Sequence, residues 1–170
     1  MDLITALALS IGVLGGVATY LLLSPFGFGL QIWAAFIGWA SFYHSGGKTN
    51  GLQSSVLANL WGVLWGALTL IAITQTGMAE TLGTPVWAAI CVAVGVALMI
   101  LGAKIGAFSA IPAQVYGYAA TVAFTLLTNA AGALLQPDLT NPAIVVALSL
   151  VVGGIFGYVS EQLAGALAKA

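Results

Sequence analysis

Two carboxamides, Asn59 and Gln114, stand inside long apolar stretches of a chain with few other polar groups. A primary amide in hydrocarbon is costly unless partners hold it, and the partners can be neighbouring helices or a solute. Gln114, Tyr118, Thr121, Thr125 and Thr128 follow one another at steps of four, three, four and three, which makes one continuous stripe on a helix. Ser55, Asn59, Gly62, Gly66 and Thr69 repeat that spacing elsewhere, with Trp61 and Trp65 one turn apart on the same segment. The chemistry such stripes offer is hydrogen bonding: amides and hydroxyls replace water around a small polar molecule, beside a flat apolar wall of indole. Helix packing explains the same stripes. Gly38, Gly62, Gly66, Gly153 and Gly157 suit close backbone approach, and hydroxyls and amides can bond across helices.

Covalent chemistry has no comparable support. His44, the single histidine, lies in Phe42-Tyr43-His44-Ser45-Gly46-Gly47 near Ser41 and Ser45. No carboxylate is placed to orient it, so an interfacial histidine is expected and a catalytic serine arrangement is not. There is no metal-ligand spacing, phosphate loop or dinucleotide fingerprint, and Cys91 is the sole cysteine, set in an apolar run as a small buried side chain. No enzymatic activity, metal or cofactor is expected. Lys104 and Glu161 fall about 28 Å along their helices at 1.5 Å per residue, which puts both at an interface. With no ionisable group near a midplane, the pattern points to passive movement of something neutral, or to no transport at all.

The elements that position these residues follow from composition. The chain has 170 residues, 61% hydrophobic and 4% charged, and its mean hydropathy is +1.12. Soluble domains carry about 25% charged residues, so a soluble or disordered protein is excluded. With no arginine and a net charge of -1, nothing here tracks a phosphate backbone, and nucleic acid is not a partner. The sequence reads as an integral, all-α membrane protein.

Six apolar runs are predicted to span, over residues 3–23, 28–45, 51–74, 85–105, 112–134 and 142–166, forming one polytopic domain. Thr84-Pro85 and Asn141-Pro142 each read as an N-cap followed by proline at the first helical position. Ser24-Pro25 and Gly46-Gly47 mark turns, and Pro112 either opens or kinks the fifth span. Six spans place Lys48, Lys104 and Lys169 on one side and the loop acids Glu80 and Asp138 on the other. The lysine side is then cytoplasmic, with both termini there. The first span lacks a basic flank and is expected to remain in the mature protein.

An internal repeat is also expected. Ala34-Ala35-Phe36-Ile37-Gly38-Trp39-Ala40 aligns with Ala113-Gln114-Val115-Tyr116-Gly117-Tyr118-Ala119, and Gly62-Val63-Leu64-Trp65-Gly66 with Gly153-Gly154-Ile155-Phe156-Gly157. Three spans is an odd number, so a 3+3 repeat is inverted in the membrane, as in many transporters with a midplane site.

The run Gly38-Trp39-Ala40-Ser41-Phe42-Tyr43, followed by Gly46-Gly47 and Gly51-Leu52, resembles the domain-of-unknown-function 1097 family. Phe108-Ser109-Ala110-Ile111-Pro112, then Gly117 and Ala119-Ala120-Thr121, is similar to that family's second half. The resemblance implies a polytopic protein of the bacterial inner membrane and carries over no activity.

The expectation is a passive channel or facilitator for a small uncharged polar solute of the urea or short-amide kind. Asn59, Trp61, Trp65, Gln114, Tyr118, Thr121 and Thr125 would form the path, and the glycines the packing faces. The expected partners are the lipid bilayer, the solute and further copies of the chain. The alternatives are a non-transporting scaffold or accessory subunit, and a small-monocarboxylate carrier using helix N-termini.

Overall fold

A computed structural model describes residues 1–169. They form seven α-helices: α1 Leu3–Leu23, α2 Ile32–His44, α3 Lys48–Gln75, α4 Met78–Leu82, α5 Thr84–Leu101, α6 Ile111–Leu127 and α7 Pro142–Lys169. No strand occurs among the described residues. Four segments are long and apolar enough to cross a membrane: Leu3–Leu23, Lys48–Gln75, Thr84–Lys104 and Pro142–Ala168. Their outward faces expose Ile4, Val13, Leu64, Val94, Leu98 and Ile155, side chains suited to lipid.

α2 and α6 are shorter than the second and fifth spans that the sequence predicts. α2 has 13 residues and α6 has 17, so at 1.5 Å per residue they rise only about 20 and about 25 Å against a hydrocarbon core of about 30 Å. The stretch assigned to the start of the second span is instead a 3-10 turn, Pro25–Gly27, followed by Phe28 at φ 49° and Gly29 at φ 78°. Residues 128–134 leave α6 through Asn129 at φ 53° and a 3-10 turn, Ala131–Ala133. The α-helix α5 ends at Leu101, and Gly102–Lys104 and Gly106–Phe108 are 3-10 turns. Apolar side chains such as Phe26, Phe28, Ile105, Phe108 and Leu134 continue through these turns, so a hydropathy window runs across them.

The punctuation residues act locally. Pro112 lies in the first turn of α6 and opens that helix, where its missing N–H costs nothing. Asn141 caps α7, its Oδ1 accepting from Ala143 N at 2.9 Å. Thr84 is already inside α5, and Gly83, not Thr84, occupies the cap position without a side-chain bond.

The closest packing joins helices distant in sequence. α2 lies along α7 and α3 along α6, while α1 flanks α7 and α5 flanks α3. At each central contact a glycine of one helix meets a backbone carbonyl of the other. Gly38 lies against Leu150 and Gly153 against Ala35; Gly117 lies against Asn59 and Gly62 against Gln114. A Cβ at any of these four would collide with the facing carbonyl oxygen. Gly66 approaches Tyr118 and Thr121, and Gly157 approaches Trp39 and Phe42. All five glycines read from the sequence as packing residues therefore sit at helix contacts.

Candidate functional site

Asn59 and Gln114 belong to a single helix crossing. Because Gly117 fits beneath the carbonyl of Asn59 and Gly62 beneath that of Gln114, α3 and α6 approach closely at this level and hold both carboxamides inside. Both are essentially fully buried, Asn59 at 1% exposure and Gln114 at 0%. Asn59 Nδ2 donates to Ser41 Oγ at 2.8 Å and to Ser55 Oγ at 3.3 Å, and Ser55 Oγ donates to Ser41 Oγ at 3.0 Å. Gln114 Nε2 donates to the carbonyl oxygen of Phe108. The amide N–H groups are thus engaged, whereas Asn59 Oδ1 and Gln114 Oε1 have no hydrogen-bond partner among the described residues.

Further along α6, Tyr118, Thr121 and Thr125 are buried on the same side. Thr121 Oγ1 donates back to the Gly117 carbonyl at 2.9 Å, a local bond that hydroxyls in helices commonly make. Tyr118 OH and Thr125 Oγ1 are buried without a partner. The helical stripe on α6 is therefore an inward face from Gln114 to Thr125, with Thr128 exposed beyond it, and much of its hydrogen-bonding capacity is unspent.

Trp61 and Trp65 do not join that face. Trp61 turns toward α5, donating from Nε1 to Met99 O at 3.0 Å, and stacks on Phe108 with centroids 4.6 Å apart. Trp65 packs edge-on to Trp61 and lines a cleft of about 250 Å³ between α3 and α5, with Thr69, Trp87, Cys91 and Gly95. Trp61 nonetheless bears on Gln114 through Phe108, whose ring it covers and whose carbonyl holds the amide.

Ser41 and Ser55 complete the polar group around Asn59 and were not among the residues expected to contact a solute. The signal for Ser55 was its place in the stripe with Asn59 and Gly62, and Ser41 follows the packing residue Gly38 at a step of three. Below them, at the end of the bundle carrying Lys48 and Lys104, a cleft of about 420 Å³ is lined by His44, Ser45, Gly46, Ser54, Ser109 and Pro112. A smaller neighbour of about 220 Å³ adds Asn50 and Gln53 and shares Ser54. His44 Nδ1 lies 2.8 Å from Tyr116 OH at the rim. The two clefts offer hydroxyls, amides and one imidazole.

A separate polar group ties α2 to α7. Trp39 Nε1 donates to Ser160 Oγ at 3.0 Å, Tyr43 OH lies 2.8 Å from the same oxygen, and Ser160 donates to Gly157 O. Every one of these side-chain polar atoms has a partner, which makes this a structural joint. Glu161, one residue on, accepts from the backbone N–H of Lys48 at 2.7 Å and fastens the start of α3.

No curated protein and no solved structure matches the chain. A family model described as "Protein of unknown function (DUF1097)" matches residues 8–165, nearly the whole chain, and it is the family that Gly38–Tyr43 and Phe108–Thr121 resemble. With its long apolar helices and their lipid-suited faces, this chain is a membrane protein belonging to the DUF1097 family.

Proposed function

We propose that the protein is a passive facilitator for a small, uncharged polar solute of the urea or short-amide class, built as six crossings in two inverted halves. The carrying observation is the pair of buried carboxamide oxygens, Asn59 Oδ1 and Gln114 Oε1, left free while their N–H groups are engaged. Leaving such groups unpaired in a low-dielectric interior costs about 1–3 kcal/mol each. A solute rich in N–H donors relieves that cost, and urea and acetamide bring such donors without charge. A carboxylate brings only acceptors, so the same two oxygens weigh against a monocarboxylate carrier.

The two-half reading is supported by matching contacts. Under the alignment of Gly38 with Gly117 and Gly62 with Gly153, the contact of Gly38 with Leu150 corresponds to that of Gly117 with Asn59. The contact of Gly153 with Ala35 likewise corresponds to that of Gly62 with Gln114. The short helices α2 and α6 occupy corresponding places, and paired short segments in two inverted halves point to a solute site. In this proposal the lysine end faces the cytoplasm of a bacterial inner membrane, with both termini there. The neutral cleft at that end is the mouth, the exposed apolar flanks meet lipid or further copies of the chain, and neither catalysis nor a cofactor takes part.

Stopped-flow light scattering on proteoliposomes tests the reading, with urea, acetamide, glycerol and acetate compared against empty vesicles. Faster influx of urea or acetamide, lost in a folded Gln114→Leu variant, supports it. A second reading, a non-transporting scaffold, draws on the glycine-to-carbonyl contacts, which also suit a closed bundle. It gains if folded protein passes none of the four solutes.

A further inference from the structure

We infer that Leu150 and the apolar side chains around it form the barrier of the solute path, and that this barrier is the apolar counterpart of the polar crossing in the other half of the repeat. The inference rests on the facilitator reading and on the pairing of the halves. Leu150 is the counterpart of Asn59, since each presents its carbonyl to the matching glycine, Gly38 or Gly117. Ala35 is in the same way the counterpart of Gln114. One crossing therefore carries two carboxamides, and its mate carries Leu and Ala at the same positions. The two crossings share their glycine-to-carbonyl contacts and differ in polarity.

Leu150 of the apolar crossing also belongs to a buried apolar cluster. Leu150 is 1% exposed and Val146 is 0% exposed, and both cluster with Val63, Leu70, Ala120 and Ala143. Val146 and Ala143 lie in the first turns of α7, and Leu70 lies near the far end of α3. The cluster thus stands between the Asn59–Gln114 crossing and the end of the bundle opposite the polar clefts. A solute entering past His44 and Ser54 meets hydroxyls, then free amide oxygens, then hydrocarbon. An apolar constriction slows small polar solutes by dewetting, without any charge or hinge.

Supplying the matching amide tests this directly. Urea permeability of proteoliposomes is compared for the unmodified protein, Leu150→Asn, Leu150→Ala, Leu150→Asn with Gln114→Leu, and Leu148→Asn. Leu148 is 43% exposed on the same helix and controls for an added amide elsewhere. Size-exclusion profile and thermal midpoint establish folding for each, and Leu150→Thr replaces Leu150→Asn if the latter does not fold. The expected result is an increase of about tenfold for Leu150→Asn, the factor that about 1.4 kcal/mol of barrier represents. Leu150→Ala gains less, because it widens the constriction and leaves it dry, and Leu148→Asn gains nothing. Urea passage that appears only with Leu150→Asn, and disappears again with Gln114→Leu, also supports the barrier. Urea passage by the unmodified protein that a folded Leu150→Asn or Leu150→Thr leaves unchanged overturns the barrier and leaves the facilitator standing. Silence from every folded variant overturns both.

Discussion

Trp61 and Phe108 stack with ring centroids 4.6 Å apart and planes 11° from parallel. One ring belongs to α3 and the other to the turn before α6, and the carbonyl of that same Phe108 holds the Gln114 amide. The stack fixes the turn, and the turn fixes the amide. Trp61→Leu removes both the stack and the bond to Met99 O, and should destabilise the protein by about 2 kcal/mol. Trp61→Phe keeps a ring face and should cost about 1 kcal/mol. Thermal unfolding in detergent gives the ranking, and urea influx should fall in the same order as Gln114 loses its anchor.

Glycine substitutions separate close contacts from open helix surface. Gly117→Ala and Gly62→Ala place a methyl group onto the carbonyls of Asn59 and Gln114, and each should cost about 1–3 kcal/mol as α3 and α6 are pushed apart. Gly12 and Gly16 on α1 have nothing within 4 Å of an added Cβ. Alanine there should be neutral or stabilising by up to about 1 kcal/mol. Equal thermal midpoints for the two classes would show that the α3–α6 contact tolerates a wider spacing.

Asn141 serves three partners. Besides capping Ala143 N, its Nδ2 donates to Leu134 O and Gln136 O, each at 2.9 Å. Asn141→Ala leaves a helix N–H and two carbonyls unpaired and should cost about 2 kcal/mol. Asn141→Asp keeps the cap and loses the two donated bonds, so its midpoint should fall between alanine and the unmodified protein.

Asp138 governs the same loop through pH. Its carboxylate accepts from Thr140 Oγ1 and Thr140 N, and these bonds, the hydroxyl first, hold its pKa below the ordinary carboxylate value. A depressed carboxyl contributes fully above its unfolded value and loses that contribution as pH falls through the folded one. The Thr140 amide proton should therefore titrate below the ordinary aspartate range in NMR, and its solvent exchange should rise as the carboxyl protonates. In Asp138→Asn both transitions should vanish.

How much of this was legible before the structure depends on what polarity can report. In a chain this apolar a carboxamide stands out, so Asn59 and Gln114 could be found, and the steps of three and four correctly turned Tyr118, Thr121 and Thr125 inward. Proline and asparagine punctuated well at Pro112 and Asn141. Hydropathy could not distinguish a helix from short turns that still carry Phe28, Leu30 and Leu134. Residues 28–31 and 128–134 were absorbed into spans for that reason, and the brief α4 passed unnoticed. Which donors reach the amides was also hidden, because the Phe108 carbonyl lies in a turn and Ser41 comes from another helix. Trp61 and Trp65 were assigned to the path although they differ in angular position from Asn59, Gly62 and Gly66, and the structure places them toward α5.

The central contacts, α2 on α7 and α3 on α6, bind the first part of the chain to the last, and α1–α3 touch one another sparsely by comparison. During synthesis, α1–α3 enter the bilayer before their true partners have been made. Their glycine faces meet lipid or the insertion machinery until α6 and α7 emerge. Assembly thus waits for the C-terminal third, and a chain cut after α5 lacks both tight interfaces at once. Two copies broken at complementary places could in turn rebuild one bundle by exchanging these helices, since the joints are between the parts and not within them.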